Sequence, residues 1–76
     1  MDSIKSSKDG LNNFIRSSVW QDMKNQLENY IETDRKMLET EFAPTKIYKL
    51  QGEIHAYRQL LGLPETLIQN LEDQNA

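Results

Sequence analysis

The chain reads as all-α: an antiparallel helical hairpin with a short C-terminal third helix. Three observations predict this. In Thr45 to Pro64, Ile47, Leu50, Ile54, Tyr57 and Leu61 are spaced 3, 4, 3 and 4, an a/d seam on one side of a helix. Upstream, Trp20, Met23, Leu27, Ile31, Leu38 and Phe42 share one stripe, widened by Tyr30 and Met37. Between the two, Ala43-Pro44 punctuates the chain, because a residue preceding proline is driven out of the α region.

The elements follow in order. Residues 1–9 are polar, with only Ile4 to bury, and are expected to be a disordered leader. Asp9 can cap a short helix from about Gly10 to Arg16, with Leu11, Phe14 and Ile15 on one side. The sequence leaves open whether this segment joins the next helix. Ser17-Ser18 favours a break. Ser18 to Gln21 matches a capping box, Ser at N-cap and Gln at N3, so a long helix is expected from about Val19 to Glu41. Glu32 with Lys36 and Arg35 with Glu39 are i, i+4 pairs along it. Asp34 interrupts the apolar stripe. It is expected on the stripe's edge, or paired with a lysine of the next helix.

After Ala43, either Thr45 caps the second helix or Pro44 is its first residue. So short a connection forces the two long helices to lie antiparallel. Gly62 suits a helix stop. Leu63-Pro64 restarts the chain, with Leu63, Leu67, Ile68 and Leu71 as one apolar face. Residues 10–73 thus form a single helical domain, and residues 74–76 a frayed tail. The expected core is Trp20, Met23, Leu27, Ile31, Leu38, Ile47, Leu50, Ile54, Tyr57, Leu61 and Leu67.

Composition narrows the function classes. Seventy-six residues make one domain, and a globule this small buries only about 60% of the surface its unfolded chain exposes. There is no cysteine, hence no disulfide and no thiolate metal site. Such chains rely on tidy helix packing or on oligomerisation. The net charge of −3, from 9 basic and 12 acidic residues, has the wrong sign for a general nucleic-acid binder. Lys46, Lys49 and Arg58 could touch phosphates, but three cations in an acidic chain read as a solvated face. MDSIKSSKDG has no apolar h-region, so no secretory signal is expected. No apolar run nears the roughly 20 residues that span a bilayer.

No constellation carries catalysis. His55 is the lone histidine, and a metal site needs three or four convergent ligands. The serines lie in the leader or at a helix cap, with no Gly-rich elbow. Gly10, Gly52 and Gly62 are too scattered for a phosphate loop. The expectation is therefore no catalytic residue, no metal, no cofactor, no small-molecule substrate and no membrane partner. Trp20 could be an interface hot spot, or it could close the core beside Leu61 and the Leu63–Leu71 segment, as aromatics often do. The most informative pair is Gly52 and Ala56. Gly52 lies opposite the seam in mid-helix, where glycine costs about 1 kcal/mol relative to alanine. Tyr48, Gly52, His55, Ala56 and Gln59 form the candidate partner-binding groove, where another chain's backbone could approach closely. The plain alternative is a tolerated surface glycine.

The segments VWQDMKNQLENYIE and IYKLQGEIHAYRQLLGLPETL resemble a group of small helical proteins found in tailed-bacteriophage genomes. The likeness rests on Trp20 at a helix start, then Tyr48, Leu50, Gln51-Gly52-Glu53-Ile54, Arg58 and Leu60-Leu61 before Leu63-Pro64. It covers roughly residues 14–71. It implies a phage accessory or virion-assembly protein, acting in the host cytoplasm or in the virion through contacts with itself or with another phage or host protein. It carries over no catalytic residue. The alternative it leaves is a small inhibitor or adaptor of a host defence or transcription protein. A homo-oligomer is expected, because a lone hairpin leaves apolar surface uncovered.

Overall fold

In the computed structural model, which describes residues 4–75, the chain is all-helical. Four helices follow one another: α1 (Lys8–Ile15), α2 (Ser18–Thr40), α3 (Pro44–Leu61) and α4 (Leu63–Gln74). The sequence led to three and left the first undecided. The separation of α1 has a local cause. Ser17 accepts a hydrogen bond from the Trp20 amide at 3.1 Å and donates its own hydroxyl to the Phe14 carbonyl at 2.6 Å. One side chain thereby closes α1 and opens α2.

The caps differ from expectation by a residue or two. Ser7, not Asp9, caps α1, accepting from the Gly10 amide at 2.9 Å. Lys8 and Asp9, placed in the leader by composition, therefore belong to the first turn. Met1 to Ser3 lie outside the described residues. Ser17 rather than Ser18 caps α2, and Gln21 reaches the Ile15 carbonyl at 3.2 Å instead of completing a capping box. Pro44 is the first residue of α3 and Ala43 its N-cap, so Thr45 caps nothing. The Glu41 carboxylate holds this corner by accepting from the amides of Phe42 and Ala43, at 3.2 and 3.0 Å. Gly62 ends α3 at φ −89°, in the right-handed region open to any residue. At the C-terminus, Gln74 is still helical, and Ala76 lies outside the described residues.

The largest contact joins α2 to α3, and α1 packs against α4. Across this contact Tyr30 packs on Tyr57 with ring centroids 5.5 Å apart, and Asp34 and Glu53 line one cleft further along. Leu50 and Ile54 are buried, with Ile47, Tyr57 and Leu61 half-buried beside them, so the a/d seam of α3 faces inward. Trp20 and Ile31 are buried on α2, and Leu27 and Leu38 are half-buried. Met23, expected in the core, is 49% exposed. The apolar stripe of α2 is wider than the face α3 covers, and Met23 sits on the uncovered margin.

A second small core was not foreseen. Leu11 of α1 and Leu71 of α4 are both buried. Lys8 Nζ pairs with Glu72 Oε1 at 2.9 Å, and the Ile4 amide donates to Gln74 Oε1 at 3.2 Å. The expected Glu32–Lys36 and Arg35–Glu39 pairs are not formed among the described residues. Their side chains stand in water, where holding two long chains together returns little.

The molecule is elongated, 48 × 28 × 15 Å, with a radius of gyration of 15.9 Å. A compact domain of this length has a radius near 11 Å. Among the described residues no large side chain is less than 2% exposed.

Candidate protein-docking surfaces

Two exposed surfaces and one buried polar pair stand out. The first surface is an apolar groove of about 400 Å³ between the first half of α2, the α3–α4 junction and α1. Its floor is Trp20, Leu27 and Pro64. Its walls are Leu11 and Phe14 of α1, Met23 and Tyr30 of α2, Leu60 of α3, and Leu63 and Leu67 of α4, with Gln26 the one polar residue along it. Five of the wall residues are open to solvent: Met23 is 49% exposed, Tyr30 46%, Leu60 46%, Leu63 44% and Phe14 38%. The groove exists because α4 leans on α1 rather than lying along α2. The apolar margin of α2 is left about half exposed, although Tyr30 still touches Tyr57 of α3. Trp20 is itself 6% exposed, its ring 5.5 Å from that of Phe14. It closes the core at the base of the groove, next to Leu60 and α4.

The second surface is the outer face of α3. Tyr48, Gly52, His55, Ala56 and Gln59 are all exposed, and helical spacing puts them on one strip opposite Leu50 and Ile54. Tyr48 is 72% exposed. A methyl group added at Gly52 would meet nothing within 4 Å, so packing within this chain makes no demand for glycine there. None of these five residues lines the apolar groove.

The polar pair sits at the other end of the α2–α3 contact. Asp34 is 8% exposed, and its Oδ2 has no hydrogen-bond partner. It forms no ion pair with a lysine among the described residues; the carboxyl of Glu53 lies beside it in the same cleft. That contact raises the Glu53 pKa above its ordinary 4.5, with desolvation and the Asp34 charge acting the same way and Lys49 opposing them. Burial likewise raises the Tyr57 phenol above 10.0, with the Glu53 and Asp34 charges adding to it. Lys46, Lys49, Glu41 and Met37 complete this smaller cleft of about 290 Å³. Among the described residues no three His, Asp or Glu side chains converge as a metal site would require. No described helix is long and apolar enough to cross a membrane.

The groove was hidden in the sequence because Met23 and Tyr30 share the periodicity of the core stripe. One signal could have exposed it: a stripe made wider than a single neighbouring helix can cover. No protein-family model, curated protein or solved structure matches this chain.

Proposed function

We propose that this is a non-enzymatic protein that works through helix-mediated protein–protein contacts, as a structural or assembly component of a tailed bacteriophage. In this reading α2 and α3 form an antiparallel hairpin, and α4 is the short helix that closes one end. The observation that carries the contact role is the open groove, whose lining is apolar apart from Gln26. Concave apolar patches rimmed by polar residues are sites where other chains dock. The extended shape supports the same reading, since so thin a molecule gains core by association. The phage assignment rests on the resemblance of residues 14–71 and places the protein in the host cytoplasm or the virion.

The test is mass spectrometry of purified particles of the encoding phage, alongside affinity purification from infected cells. A structural component is expected in the particles at a fixed copy number. A chain absent from particles and recovered with one host protein at equal stoichiometry would replace this reading with that of a host-directed inhibitor or adaptor.

A further inference from the structure

The half-exposed margin of α2 is more regular than a groove wall needs to be. Val19, Met23, Gln26, Tyr30, Thr33 and Met37 are spaced 4, 3, 4, 3 and 4, and every one is exposed. This is a second a/d stripe, parallel to the one that packs on α3. The charged residues of α2 all lie off it. Four of the six stripe residues are apolar, and three of those are large and about half exposed: Met23 at 49%, Tyr30 at 46% and Met37 at 50%.

The flank of the stripe says what covers it. On the side away from α3, the flanking positions are Asp22, Asn29 and Lys36. All three are exposed, and neither Asp22 nor Lys36 joins an ion pair among the described residues. They stand one heptad apart on either side of Asn29, each about 10 Å along the helix from it. A two-fold axis beside Asn29 lays α2 antiparallel on α2 of a second copy. Asp22 of each copy then faces Lys36 of the other. An isologous contact demands this self-complementarity. A parallel pairing would set Asp22 against Asp22 and Lys36 against Lys36.

The same axis fills the groove. Met37 of the second copy arrives at the level of Met23. Phe42, the most exposed large apolar side chain at 89%, arrives near Val19 and Phe14 at the outer end. The chain exposes 5946 Å², about 1,100 Å² more than a compact monomer of its mass, and a stable interface buries about 800 Å² per partner.

We infer that the exposed stripe of α2 and the adjoining groove are a homodimer interface, in which α2 packs antiparallel on α2 of a second copy through Met23, Tyr30 and Met37, aligned by Asp22–Lys36 pairs. The inference deepens the protein-contact reading and rests on it.

Sedimentation equilibrium of the purified full chain over a range of concentrations tests it. The expected species is a dimer of the 8.9 kDa chain. Met23→Glu places a charge in the seam and is expected to weaken the dimer at least about hundredfold. Asp22→Lys and Lys36→Asp, each alone, set like charges face to face and are expected to weaken it about tenfold. The double exchange restores the pairs and the dimer. These positions are exposed, so circular dichroism and melting of the monomer should be unchanged. A chain that stays monomeric at all concentrations overturns the inference. So does an oligomer indifferent to Met23→Glu, or a double exchange as weak as the single ones. A monomer still found in purified particles removes the self-pairing and leaves the assembly reading standing.

Discussion

Asp34 is the residue whose placement runs most against elementary chemistry. It is buried within the apolar stripe of α2 and meets a second carboxyl, Glu53, where a cation would be cheaper. The raised Glu53 pKa means that the folded state binds a proton at that carboxyl more tightly than the unfolded chain does. The sign follows. A group with its folded pKa raised contributes stability that is complete below its unfolded value, here 4.5, and lost as pH rises through the folded value. Mild acidification into that window should therefore raise the melting temperature of the native protein relative to Glu53→Gln, whose amide carries its own hydrogens. At neutral pH Glu53→Gln should melt above the native protein. A pair of melting curves with identical pH dependence would show that the two carboxyls do not share a proton. Ile54 makes the contrasting case on the neighbouring position of α3. It is 7% exposed in the seam, and Ile54→Asp would bury a charge there in place of an apolar side chain. It should cost about 3–5 kcal/mol and unfold most of the chain, read by circular dichroism.

Helices differ in how much of themselves the sequence announces. The α3 seam was legible because Ile47, Leu50, Ile54, Tyr57 and Leu61 keep strict spacing and a proline and a glycine bracket them. The start of α2 was legible to within one residue, because two adjacent serines can each cap and only packing chooses between them. The α1–α4 core was not legible: Leu11 and Leu71 are far apart in sequence, in helices of only about two and three turns, too short to declare a partner. The candidate site was half visible. The Gly52 strip could be read from an unneeded glycine, whereas the groove depends on where α4 lands. Gly52 also gives the sharpest test of an element. With open space where its Cβ would stand and a right-handed backbone, Gly52→Ala should stabilise α3 by about 1 kcal/mol. If the strip takes a partner's backbone closely, the same change should weaken that complex while the free protein melts higher. Calorimetry of the free protein and binding measured on the same sample separate the two effects. At the other long helix, Ser17→Ala removes the cap of α2 and the bond to the Phe14 carbonyl. It should cost about 1 kcal/mol.

Taken whole, the molecule is two small cores joined end to end: α2 against α3, and α1 against α4. They communicate through Trp20, whose ring lies by Phe14 on one side and lines the groove with Leu60 and Leu67 on the other. A chain so divided should not open uniformly. The α1–α4 core is held by Leu11, Leu71 and an ion pair of Lys8 with Glu72, both ends of which are about half exposed. Few buried groups and an ion pair in water make a unit of low local stability. Leu71→Ala should therefore act locally. The truncation costs about 2–4 kcal/mol, enough to release α1 and α4 without unfolding α2 and α3. Native-state hydrogen exchange should show the amides of α1 and α4 losing protection while those around Leu50 and Ile54 keep theirs. Loss of protection throughout would mean that the two cores fold as one unit. The distinction bears on docking, because the groove is built from both cores. If α1 and α4 open alone, the groove's outer wall opens with them, and a partner that binds there must also hold that wall in place. Binding should then restore protection to the amides of α1 and α4 even in the Leu71→Ala protein.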